Sequence, residues 1–148
     1  MHNAVPAFCK NGNLGTPVSP TAANTNGQGV GTIGTDIFKF FDADATNGSL
    51  VEYVRFNPTA TTPTNTTATV ARIFWSTQTS GATTSANTHL IAEVALPISA
   101  ADNASTPVNS IDVPINFRLP AGAALLVTNH AAPAANTGWK TMGVGGDF

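Results

Sequence analysis

Ile111-Asp112-Val113-Pro114-Ile115-Asn116-Phe117-Arg118 decides how the rest of this 148-residue chain is read. Apolar side chains fall at 111, 113, 115 and 117, with Asp112, Pro114, Asn116 and Arg118 between them. Successive side chains of a strand point to opposite faces, so a period of two describes a ribbon with one face on a core and the other in water. Pro114 has no N–H for a ladder bond, which places this strand at a sheet edge or at a bulge.

The same signal extends outward in both directions. Toward the N-terminus, Leu90, Ala92, Val94 and Leu96 alternate with Ile91, Glu93 and Ala95 and end at Pro97. Residues 67–76 (TATVARIFWS) form a β-branched and aromatic run. Residues 49–57 (SLVEYVRFN) set Leu50, Val54 and Phe56 against Val51, Tyr53 and Arg55, with Glu52 an exception on the apolar face and Pro58 as the expected stop. Residues 36–41 (DIFKFF) make the first strand, closed by Asp42-Ala43-Asp44 and the Asn47-Gly48 turn pair. Toward the C-terminus, Leu119-Pro120-Ala121-Gly122 turns the chain into strands at 124–129 and 139–144. The best helical candidate, 100–104, is too short and too rich in Asn and Asp to stand alone. Short strands separated by turn clusters predict an all-β fold, an antiparallel β-sandwich of jelly-roll or Greek-key type. Residues 77–88 (TQTSGATTSANT) hold no large apolar side chain and are expected to be a long solvent loop.

Residues 1–34 differ in kind from the sandwich expected over 35–148. They are rich in Gly, Pro, Asn and Thr, and their apolar residues are isolated. Too little apolar area is present to order this stretch as a unit of its own. It reads as an extended N-terminal arm: either a loose terminus with an edge strand near Val30 to Ile33, or a segment ordered by lying on a neighbouring subunit. On the second reading, Val5, Phe8, Leu14 and Val18 are its contact residues.

Composition excludes several classes. Six Lys/Arg stand against eight Asp/Glu, a net charge of −2, and only 9% of residues are charged. The cations are scattered, so no nucleic-acid partner is expected. Cys9 is alone and closes no disulfide. The longest apolar run, AGAALLV at 121–127, falls far below the roughly 20 residues of a spanning helix, and no membrane partner is expected. His2, His89 and His130 lack metal-ligand spacing, and no Gly-x-Ser-x-Gly elbow is present. Asp42 and Asp44 read as turn caps. Gly29-Val30-Gly31-Thr32-Ile33-Gly34 spells a dinucleotide fingerprint, but without a strand before it and a helix after it. Trp75 and Trp139 read as core. No catalytic residue, metal or cofactor is expected, and the sparse charge favours association with copies of the same chain.

A resemblance adds to this reading. It is carried by the order of Gly29-Val30-Gly31-Thr32, Asp36-Ile37-Phe38, Asn47-Gly48-Ser49-Leu50-Val51, the run 68–74 (ATVARIF), Glu93-Val94-Ala95-Leu96-Pro97, the run 114–122 (PINFRLPAG) and Gly145-Gly146-Asp147-Phe148. Over residues 29–148 the chain resembles a family of small structural proteins of tailed bacteriophages and prophages. The resemblance implies a virion component made in the bacterial cytoplasm, a head decoration or cement protein on the outer surface of the phage head. Its partners would be the major capsid protein lattice and copies of itself, most simply in a homotrimer, with no catalytic residues and no cofactor. The alternative is a tail-fibre or tail-tip receptor-binding β-sandwich domain.

Overall fold

A computed structural model of the chain describes residues 9–61, 64–101 and 109–148. Among the described residues the regular structure is all β: β1 (Asn11–Leu14), β2 (Gly31–Thr32), β3 (Phe38–Asp42), β4 (Ser49–Ala60), β5 (Thr64–Asn65), β6 (Thr69–Ser76), β7 (Ala82–Thr83), β8 (Thr88–Leu96), β9 (Ala100–Ala101), β10 (Ile111–Leu119), β11 (Ala124–Asn129) and β12 (Thr137–Asp147). Two four-stranded antiparallel sheets face each other, one in the order β1-β12-β4-β10 and the other β3-β11-β6-β8. Between them Phe40, Phe41, Val51, Val54, Phe56 and Trp139 form a core with Ile73, Leu125 and Val127. The antiparallel β-sandwich read from the sequence is the architecture found.

The run at 111–118 becomes β10, an edge strand whose register shifts between Pro114 and Phe117. Both expectations for Pro114 hold, since edge and bulge each spare a ladder donor. A second shift, on the β12 side of β4, explains Glu52. On β4, Tyr53 pairs with Val144 and Val51 with Gly145, so Glu52 is an extra residue. The bulge reverses the alternation: Val54 and Phe56 point inward beyond it, Val51 and Ser49 point inward before it, and Glu52 is exposed. Pro58 does not stop the strand. β4 continues to Ala60 against β12, and the β10 ladder has already ended at Phe56, so the missing donor breaks no bond on that side.

A third layer covers part of the second sheet. Ile37, Phe74, Ala124 and Leu126 pack on its outer surface with Ile33. β2 and β7 pair over this cluster, and Thr83 Oγ1 donates to the carbonyls of Gly29 (2.7 Å) and Gly31 (3.1 Å). We call residues 24–37 the strap. β11 is consequently buried at all six positions, which is why its sequence is an unbroken apolar run and not an alternation. The stretch at 77–88, expected to be a solvent loop, instead contributes β7 to the clasp on the strap.

Residues 10–24, read from sequence as part of an arm, run along strands of their own domain. Lys10 N–H donates to the Asp147 carbonyl (2.7 Å), β1 pairs with β12, and Val18 and Thr141 exchange two backbone hydrogen bonds of 3.0 and 2.7 Å. Asn24 N–H then crosses to the second sheet, donating to the Asn129 carbonyl (2.8 Å). The physical reason is the free edge of β12, whose unpaired amides and carbonyls an extended polar segment satisfies.

Candidate functional site

One apolar surface lies on the outer face of the β1-β12-β4-β10 sheet. Register places Leu14 opposite Val144, Val144 opposite Tyr53, and Tyr53 opposite Pro114, so one apolar row crosses four strands. Leu14 is 70% exposed; Val144 and Tyr53 are half-buried and Pro114 is exposed. In the adjacent row Met142 is opposite Arg55, and Arg55 opposite Asp112. Arg55 forks onto the carboxylate, Nε to Oδ1 and Nη2 to Oδ2, both at 2.7 Å. These charge-assisted bonds hold the Asp112 carboxyl below its usual pKa and raise that of Arg55. The guanidinium also lies 5.5 Å from the Tyr53 ring centroid. Arg118, further along the face, sits 4.4 Å over the Phe148 ring.

A second surface lies at one end of the other sheet, beyond the strap. Ala68, Val70, Ala95, Leu96, Pro97 and Ala131 line most of an open groove of about 580 Å³. Ile98, 65% exposed, continues the apolar surface past Pro97. His130 stands at the groove, and its Nδ1 lies 3.4 Å from Arg72 Nη1; Arg72 Nε donates to Glu93 Oε1 at 2.7 Å. His130 therefore belongs to a polar rim of three charged or titratable side chains.

The residues predicted as contacts separate. Val5 and Phe8 lie outside the described residues. Leu14 projects from the edge strand β1 into the four-strand row. Val18 packs against the core through its side chain and is tied to Thr141 through its backbone. Sequence reading missed Tyr53, Val144 and Pro114 as partners of Leu14, because a row across a sheet exists only once the register is known. The one available signal was apolar residues on both faces of the 49–57 run.

Groups considered for chemistry have structural work. Asp44 Oδ1 accepts from the backbone N–H of Asn47 (2.7 Å) and Thr46 (3.0 Å), which lowers its pKa. Asp42 pairs with Lys39 at 2.9 Å. Gly29 and Gly34 have φ of +73° and +89° and shape the strap. Gly145 is required at the β4 bulge, where a Cβ would lie 2.0 Å from the Leu50 carbonyl oxygen. Trp139 is buried, and Trp75, half-buried, stacks on His89 with centroids 5.1 Å apart. Among the described residues no three His, Cys, Asp or Glu side chains group as metal ligands.

Comparison with known proteins gives no match: no family model, no curated protein and no solved structure aligns with the chain.

Proposed function

We propose that the chain is a head decoration or cement protein of a tailed bacteriophage, which binds the outside of the assembled head lattice across subunit boundaries and stabilises it. The observation that carries this reading is the groove at 68–70, 95–97 and 131 with Ile98 beside it: an open, apolar surface on hydrogen-bonded strands. A rigid surface of that kind suits packing against a neighbour. The strand order supports the reading as well. Apart from the β6-β8 hairpin, the strands of the two four-stranded sheets alternate along the chain, β1, β4, β10 and β12 in one and β3, β6, β8 and β11 in the other, an order like the double Greek key of jelly rolls. A protein that binds only the assembled lattice stabilises it by mass action, and many copies add weak contacts into high avidity.

The test uses heads assembled without this protein. Added protein is expected to co-sediment with them and to raise their thermal disruption temperature. Ala95→Glu with Ile98→Glu, both at exposed positions, is expected to abolish co-sedimentation while leaving the circular dichroism spectrum unchanged. Equal binding by that variant, or no binding by the wild type, refutes the proposal.

A further inference from the structure

We infer that the outer face of the β1-β12-β4-β10 sheet is a self-association face on which a second copy of this chain packs in two-fold symmetry. The inference is independent of what the protein decorates.

Charge identifies the occupant. Lys10 lies at the rim, just before β1, and five charged side chains lie on the face itself. Arg55 and Asp112 neutralise each other in a bidentate pair, and Arg118 is stacked on Phe148. Glu52 and Lys140 remain. Both are exposed, and neither has an ion-pair partner among the described residues. They flank the middle of the face along β4. Lys140 is opposite Asn57, while Glu52 occupies the bulge between Val51 and Tyr53, and the rows of Met142–Arg55 and Val144–Tyr53 lie between them. A two-fold axis in the plane of contact, perpendicular to the strands and between Lys140 and Glu52, inverts that order in the second copy. Each Lys140 then comes within one strand spacing, about 4.8 Å, of Glu52 of the second copy, twice per pair, and the apolar row with Leu14 is enclosed between the charges together with the neutralised Arg55–Asp112 pair.

The arrangement is isologous: one patch serves both partners and closes at two copies. A three-fold assembly needs two different patches and gives Glu52 and Lys140 no reciprocal role. The chain's net charge of −2 offers little repulsion to oppose the contact. Opposite charges at the two ends of an apolar strip also fix orientation, since a parallel stacking would place like charges together.

Sedimentation equilibrium of the 148-residue chain tests this. The wild type is expected to be a dimer, weakened by added salt. Glu52→Lys and Lys140→Glu are each expected to weaken association about tenfold or more, because each puts two like-charge pairs into the contact. Glu52→Lys combined with Lys140→Glu is expected to restore it, and Leu14→Glu to abolish it. A monomeric wild type, an oligomer indifferent to the single reversals, or a double reversal that fails to recover the dimer overturns the inference. A monomer whose binding to heads is lost in Leu14→Glu would overturn it too, by giving the face to the lattice.

Discussion

Asn24 and Asp36, twelve residues apart in the chain, meet within the strap, where Asn24 Nδ2 donates to Asp36 Oδ2 at 3.3 Å. The contact is one part of a small network. The same amide donates to the Val30 carbonyl (3.1 Å), Asn24 Oδ1 accepts from Asn26 N–H (2.9 Å), and Asp36 Oδ1 accepts from Thr32 N–H (2.6 Å). Asn24 is buried, so removing its amide leaves several polar groups without partners. Asn24→Ala is therefore expected to cost about 1–3 kcal/mol, read as a lower urea midpoint.

N-terminal truncation separates folding from contact. Removing residues 1–8 leaves the Lys10–Asp147 bond and the hydrogen bonds described after it in place, and the chain should still unfold cooperatively, as read by its thermal transition. Removing residues 1–26 takes β1, the Val18–Thr141 pair and Asn24, which uncovers the β12 edge and loosens the cover over Phe74 and Leu126. That chain is expected to bind a hydrophobic dye and to lose cooperative unfolding. If the shorter truncation folds normally but no longer binds heads, Val5 and Phe8 are contact residues; full binding removes them from that role.

Gly145 offers a sharper backbone test. An added methyl would overlap the Leu50 carbonyl oxygen, a backbone atom that cannot turn aside. Gly145→Ala should destabilise the fold by at least about 2 kcal/mol, whereas Gly12→Ala on the neighbouring strand, where a Cβ meets nothing within 4 Å, should stay within about 0.5 kcal/mol of the wild type. Urea unfolding of the two variants side by side checks the difference.

Acid should weaken the fold through Asp44 and Asp112. Backbone N–H groups of Asn47 and Thr46 hold the first carboxyl, and Arg55 the second, below the ordinary value of 3.8. A depressed pKa in the folded chain means that its stabilisation is complete above the unfolded value and is lost as pH falls through the folded one. Stability should thus be flat on this account at neutral pH and decline below about pH 4. Asp44→Asn and Asp112→Asn should each flatten the decline, measured as thermal midpoint against pH.

Much of this architecture was legible in the sequence, and the exceptions have physical causes. The alternation at 111–118 gave a strand, and Pro114 gave an edge or a bulge, because both depend only on local geometry. Glu52 looked misplaced because alternation assumes an unbroken pleat, and a bulge inserted one residue. Pro58 looked like a terminator because the sequence does not say where the neighbouring strand ends. The strap and its clasp were invisible: Asn24, Thr83 and Asp36 bind through amide, hydroxyl and carboxylate groups, which leave no periodic trace. At the candidate surfaces, Leu14 could be singled out as an isolated apolar residue, but Val144, Tyr53 and Pro114 become its neighbours only through pairings between strands far apart in the chain.

The pairing of β1 with β12 also has a mechanical meaning. Asn11 lies opposite Asp147 and Leu14 opposite Val144, so the chain enters and leaves this ribbon at the same end. Tension applied at residues 9 and 148 would load its hydrogen bonds one after another, peeling the ribbon open from that end at low force. A contact elsewhere on the molecule would transmit load without touching this seam.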